Sequence, residues 1–149
     1  MELIGYIEDE NIDLNFTAKD KEEALKKLAE LVSNNRNIDS KKILEVLKDR
    51  EELGSTGIGN GVAIPHGKFE IDKDIIGAIA ISKEGVEFNS IDGKPVNIFF
   101  VFISSPSATN IHLKLLAKIS KLLMNEEIRK SIKNVNSKED LKKLLKNGG

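Results

Sequence analysis

The run Val96-Asn97-Ile98-Phe99-Phe100-Val101-Phe102-Ile103 constrains this fold more than any other segment. An amphipathic helix or a half-exposed strand would interrupt it with polar residues every third or second position. Only Asn97 does so. The run reads as a central strand buried on both faces, and apolar surface must then cover the sheet from both sides. The rest of the chain supplies those covers. Ile12 to Phe16 alternates and reads as a strand. Asp20 stands three residues before Glu23, the capping-box spacing, and the helix that follows places Ala24, Leu25, Leu28, Leu31 and Val32 on one face. Asn34 to Asn37 breaks it. A second helix starts at Asp39 or Ser40, buries Ile43, Leu44 and Leu47, and ends by Gly54, with Arg50 and Glu51 in its last turns. Asp74 to Ile81 reads as a strand, Lys83-Glu84-Gly85 as a hairpin turn returning through Val86 and Phe88, and Ile91-Asp92-Gly93-Lys94 as a second turn. After the apolar run, one helix spans Thr109 or Asn110 to Met124, with Leu113, Leu115, Leu116, Ile119, Leu122 and Leu123 as its stripe. A shorter one spans Glu126 to Lys133. Ser137 with Asp140 caps a last one carrying Leu141, Leu144 and Leu145, ahead of a frayed Asn147-Gly148-Gly149. Strand, two helices, a group of strands and three helices predict an α+β fold: a mixed sheet sandwiched between helices, α/β/α in three layers, as a single domain over residues 1–149.

Composition narrows the chemistry. The 149 residues contain no cysteine, so disulfides, thiolate catalysis and cysteine-based zinc sites are excluded. Net charge is −1, which argues for neither nucleic acid nor a membrane surface. Residues 113–149 hold ten Lys/Arg against four Asp/Glu. The plain reading is a solvated helical face; the alternative is an acidic protein partner, and the stretch lacks the aromatics that stack nucleic-acid bases. The apolar run is far too short to span a bilayer, and no basic-then-apolar leader is visible. A soluble, cytoplasmic protein is expected.

The second informative segment is Gly54-Ser55-Thr56-Gly57-Ile58-Gly59-Asn60-Gly61-Val62-Ala63-Ile64-Pro65-His66-Gly67-Lys68. Glycines permit close backbone approach and positive φ; Pro65 fixes its own φ and biases Ile64 to an extended backbone. The segment reads as a shaped loop presenting His66, one of two histidines in the chain. It is no phosphate cradle for a nucleotide. Counting back from Gly67-Lys68, Val62 falls where the Walker pattern needs glycine, and Phe69 follows where Ser or Thr belongs. The dinucleotide fingerprint from Gly57-x-Gly59 lands on Val62. A metal is not expected either, since only His112 and carboxylates could join His66. Each histidine could be an ordinary hydrogen-bonded side chain, and for His112, in the first turn of a helix, that reading is the stronger. Taken together they suggest more. A histidine at a helix N-terminus is held neutral by the dipole, and the same terminus offers N–H groups to an anion. Arg50 adds a fork-shaped cation, and Ser55 and Thr56 add hydroxyl donors. With His66 as nucleophile, these groups fit a phosphoryl group in transit through a covalent histidine intermediate.

The stretch Arg50-Glu51-Glu52-Leu53-Gly54 through Pro65-His66-Gly67 resembles the active-site signature of the enzyme IIA domains of the fructose/mannitol class, from the bacterial phosphoenolpyruvate-dependent sugar phosphotransferase system. The resemblance continues through Asp92-Gly93-Lys94-Pro95-Val96 and the Phe-rich strand to His112-Leu113. It implies that His66 accepts phosphate from the phosphocarrier HPr and passes it to a cysteine on enzyme IIB, while His112 and Arg50 support the phosphoryl group and no cofactor or metal takes part. Without cysteine or a spanning segment, the chain is expected to be the IIA component, with IIB and the membrane transporter IIC as separate molecules. Two branches fit the resemblance. Lys68 after His66-Gly67 suits the nitrogen-regulatory enzyme IIA, which binds targets according to its phosphorylation state. Ser82 to Val86 and Leu122 to Glu127 look more like the fructose branch, and transport is the favoured expectation. A binding module with a degenerate site is disfavoured, because nothing in the motif is missing.

Overall fold

The computed structural model describes residues 3–148. After two short 3-10 turns at Leu3–Tyr6 and Asp9–Asn11, the elements run β1 (Ile12–Asp13), α1 (Lys21–Ser33), α2 (Ser40–Glu52), β2 (Gly57–Gly59), β3 (Val62–Ala63), β4 (His66–Lys68), β5 (Ile75–Val86), β6 (Val96–Ser104), α3 (Thr109–Leu122), α4 (Glu126–Lys133) and α5 (Lys138–Gly148). The expected frayed tail is helical through Gly148, and Gly149 lies outside the described residues.

The apolar run is β6, and it is central. It pairs antiparallel with β5 on one edge; on the other, β3 and β4 lie parallel to it in sequence. The sheet order is β1-β5-β6-β3-β2, with β4 also on β6, so the sheet is mixed as predicted. Alternation along β5 and β6 divides the core. Ile75, Ile79, Ile81, Ile98, Phe100 and Phe102 pack with Leu115, Ile119, Ile132, Leu141 and Leu145 of α3–α5. Ile76, Ala78, Ala80, Phe99, Val101 and Ile103 pack with Leu25, Leu28, Val32, Ile43 and Leu47 of α1 and α2. Side chains on both faces of one strand bury the whole run, which explains its lack of polar residues.

The caps follow the sequence. Asp20 accepts from Glu23 N at 2.9 Å, while Glu23 reaches back one residue further than a strict capping box, to Lys19 N at 3.1 Å. Ser137 Oγ accepts from Asp140 N at 3.1 Å. Buried Asn11 donates to Leu31 O and Asn34 O, both at 2.9 Å, satisfying carbonyls at the end of α1. The basic C-terminal stretch forms the helical cover, with ion pairs such as Lys130–Glu126 at 3.7 Å along its solvent side.

β1 stops at Asp13, short of the strand expected through Phe16, because Asp13 Oδ1 accepts from Asn15 N at 2.9 Å in a turn. Two further expectations need correction. Lys83-Glu84-Gly85 is not a hairpin turn. β5 continues through it, the pairing with β6 jumping from Ile81↔Ile98 to Val86↔Val96. The extra residues form a bulge, which Gly85 permits at φ 86° and which Ser82 ties down by accepting from Gly85 N (3.1 Å, Oγ) and Asn97 Nδ2 (2.9 Å, O). The hairpin reverses later, where Gly93 at φ 72° donates to Ser90 O. The second is Leu113, placed in the apolar stripe of α3. It is 58% exposed, while Leu115, Ile119 and Leu122 are buried.

Candidate functional site

The segment 54–68 is more regular than the loop the sequence suggests. β2 and β3 form a small antiparallel hairpin around Asn60 (φ 57°) and Gly61 (φ 78°). Asn-Gly is the signature of a two-residue turn with positive φ at both positions, so this hairpin was readable from the sequence and was missed. Asp92 Oδ2 anchors it, accepting from Asn60 N at 3.0 Å. Beyond it the chain runs along β6, broken between β3 and β4 at Ile64-Pro65, since Pro65 has no N–H for the ladder. Ile64 N turns instead to Thr56 O at 3.0 Å.

His66 therefore opens a strand rather than ending a loop, in register with Phe102. Its imidazole is half-buried and stacks on the Phe102 ring, centroids 5.3 Å apart at 11°. Nδ1 lies 2.7 Å from Ile64 O. A carbonyl only accepts, so Nδ1 carries the proton and the lone pair sits on Nε2. His112, in the first turn of α3, packs edge-on against both rings: 5.2 Å from His66 and 4.9 Å from Phe102. Its Nδ1 is 2.6 Å from Ser104 Oγ at the end of β6. The N-cap residue of α3, Ala108, makes no side-chain bond, so the first N–H groups of that helix lack a side-chain cap.

Both imidazoles have lowered pKa values. For His66 burial is the main cause, opposed by the bond to Ile64 O; Arg50 lowers it further and Glu51 raises it. His112 is pushed down to about 4, first by burial, then by His66 and Lys68. The direction is the one expected for His112, but its causes are burial and the neighbouring His66 and Lys68 rather than the helix dipole. Near neutral pH both rings are therefore uncharged, each with one N–H and one lone-pair nitrogen.

α2 supplies the cationic side. Gly67 lets it approach β4, since a Cβ there would collide with Val46 Cγ1. One turn on from Val46, Arg50 Nη1 donates to Gly54 O at 2.9 Å, which holds the guanidinium at the edge of the site. Glu51 points inward, its side chain 6% exposed; it pairs with Lys21 at 2.8 Å and accepts from Thr56 N at 3.1 Å and from the Thr56 hydroxyl. Ser55 Oγ accepts from Gly57 N at 3.0 Å and donates to Phe88 O at 3.3 Å. The structure thus brings His66, His112 and the charge of Arg50 together, while the Ser55 and Thr56 hydroxyls bind their own loop and its supports. Lys68, two residues beyond His66, reaches Thr109 Oγ1 at 3.1 Å and places a second cation by the start of α3. Sequence reasoning did not single out Lys68, Phe102, Ser104 or Glu51 as site residues. Among the described residues no group of His, Asp and Glu is arranged to hold a metal, and no helix is long and apolar enough to cross a membrane.

Residues 6–148 match the family described as "Phosphoenolpyruvate-dependent sugar phosphotransferase system, EIIA 2". The chain is 33% identical over 140 residues to the fructose-specific EIIABC component of Bacillus subtilis, covering 93% of this chain and 22% of that longer protein. The crystal structure of nitrogen regulatory protein IIA-Ntr from Neisseria meningitidis superposes with a TM-score of 0.89 at 33% identity, covering 95% of this chain and 97% of that one. The complex of enzyme IIAMTL with phosphorylated enzyme IIBMTL from Escherichia coli contains a chain of the same fold, with a TM-score of 0.77 at 22% identity over 93% of this chain and 97% of that one.

Proposed function

The chain belongs to the phosphoenolpyruvate-dependent sugar phosphotransferase system EIIA 2 family, and on that premise we propose that it carries a phosphoryl group on Nε2 of His66, accepting it from phospho-HPr and passing it to a cysteine of enzyme IIB. The observation that carries this reading is the 2.7 Å bond from Nδ1–H of His66 to Ile64 O, which leaves the Nε2 lone pair unprotonated beside His112.

The Nε2 lone pair attacks phosphorus, and the P–N bond to the donor imidazole breaks with its electron pair returning to that ring. Nδ1–H stays against Ile64 O, which disperses the positive charge the ring acquires. Transfer of this kind needs positioning and charge stabilisation more than covalent help. Phe102 stacking sets the plane of His66. His112 and Arg50 support the phosphoryl oxygens, and the uncapped N–H groups of α3 lie on the same side. Ser55 and Thr56 act by holding the loop. The acceptor thiol lies outside these 149 residues, which have no cysteine.

For the destination of the phosphate, sugar uptake of the fructose type is the first reading, supported by the segments Ser82–Val86 and Leu122–Glu127 and by the Bacillus relative. A nitrogen-regulatory role is the second, favoured by Lys68 and the TM-score of 0.89 to the Neisseria protein. Incubation with phosphoenolpyruvate, enzyme I and HPr should give one acid-labile phosphoryl group, lost in His66→Ala. Unchanged labelling of that variant would refute the assignment. Transfer onward to a fructose-type IIB supports uptake; capture of a regulatory target by the unphosphorylated form alone supports the second reading.

A further inference from the structure

We infer that Ser104 is a positioning residue of the transfer site: its hydroxyl donates to Nδ1 of His112 and so fixes His112 as the Nε2–H tautomer, an N–H donor aimed at the group on His66. The inference rests on the phosphoryl-carrier reading for its consequence, while the tautomer itself stands on geometry.

Ser104 is wholly buried at the end of β6. Its Oγ has His112 Nδ1, at 2.6 Å, as its hydrogen-bond partner. Were Nδ1–H to donate, the serine proton would have no acceptor among the described residues, and a buried unpaired hydroxyl proton is a costly arrangement. The bond is satisfied at both ends only when Oγ–H donates. Its length also fits an O–H donor better than a ring N–H.

His112 is 7% exposed and stays neutral at physiological pH. A neutral imidazole has one N–H. With Nδ1 accepting from Ser104, that proton sits on Nε2. The two rings are then set oppositely: His66 gives its Nδ1 proton to a carbonyl and keeps the Nε2 lone pair, while His112 takes a proton at Nδ1 and presents Nε2–H. One is a nucleophile and the other a donor. In the reverse tautomer His112 would turn a lone pair toward phosphoryl oxygens and repel them. β6 supplies both controls, since Phe102 stacks on His66 and Ser104, two residues on along the same face, fixes His112.

The test is nitrogen-15 NMR of the imidazoles, with phosphotransfer kinetics, on the wild type, Ser104→Ala and Ser104→Thr. The wild type should show His112 solely as Nε2–H. Ser104→Ala should show an added Nδ1–H population and a turnover from phospho-HPr about tenfold slower at unchanged KM, the size expected for one lost hydrogen bond. Ser104→Thr, which keeps the hydroxyl, should restore both. An Nδ1–H tautomer in the wild type overturns the inference, a result that needs no variant to fold. So does a Ser104→Ala protein whose tautomer and rate match the wild type. Failure of His66 to label at all would sink the carrier reading and leave the tautomer result standing.

Discussion

The β5–β6 ladder and the segment 54–68 share one sheet but are held by different means. In the ladder, side chains do the work: Phe99, Phe100, Ile79 and Ile103 are buried, and regular backbone pairs run from Ile75↔Ser104 to Ile81↔Ile98. In the segment the strands are two or three residues long, and the backbone is fixed by a positive-φ turn at Asn60-Gly61, a proline break, and the buried carboxylate of Glu51. The ladder supplies stability. The segment supplies a defined place for two imidazoles and an arginine, and depends on the ladder through Phe102 and Ser104. Substitutions in the two regions should therefore have separable consequences.

The largest effect belongs to the ladder. Phe99→Ala should cost about 3–5 kcal/mol in urea unfolding, while any protein that remains folded still labels at His66. His112→Ala should do the reverse, slowing onward transfer by about 10²–10³-fold with an unfolding midpoint near that of the wild type. If it destabilises as much as Phe99→Ala, the separation fails. Glu51→Ala tests the join. Removing a buried carboxylate strands the Thr56 N–H and Lys21, and should lower stability by about 1–3 kcal/mol and transfer rate together; a loss of one alone would place Glu51 wholly in one region.

A smaller effect appears in pH. The unfolded chain protonates His112 near 6.5, whereas the folded chain does so only at about 4. The unfolded state thus binds more protons between these values, so this contribution is full above pH 6.5 and is lost as pH falls toward 4. His112→Asn should flatten that part of the stability profile, and an unchanged slope would contradict the buried, neutral His112. Smallest of all, Leu113→Ala should change stability by no more than about 0.5 kcal/mol, because the side chain next to His112 faces solvent.

The same contrast explains what the sequence could reveal. The ladder, the two helical covers and their caps were legible because burial on both faces and helical periodicity leave marks in residue type: Val96 to Ile103, Leu25 and Leu28, Asp20, Ser137. The candidates His66 and Arg50 stood out through the Pro-His signature and the residues before it, and His112 through the family resemblance; the fold places the three near one another. Lys83 to Gly85 misled because a bulge and a turn use the same residues, and only pairing across the sheet distinguishes them. Leu113 misled because helical period places it near the stripe without fixing how wide the stripe is. Phe102 and Ser104 were hidden for another reason. Both sit in a run whose character is set by the core, so nothing in their type separates a packing residue from one facing an imidazole. Their place beside His66 and His112 comes from register between distant segments.

The central claim is that His66 takes the phosphoryl group on Nε2 while Ile64 holds Nδ1–H. Nitrogen-15 and phosphorus-31 NMR of the protein phosphorylated by phospho-HPr reads this directly. The account predicts a single phosphorus signal coupled to Nε2 of His66. Coupling to Nδ1 of His66, or phosphorus on His112, would contradict it.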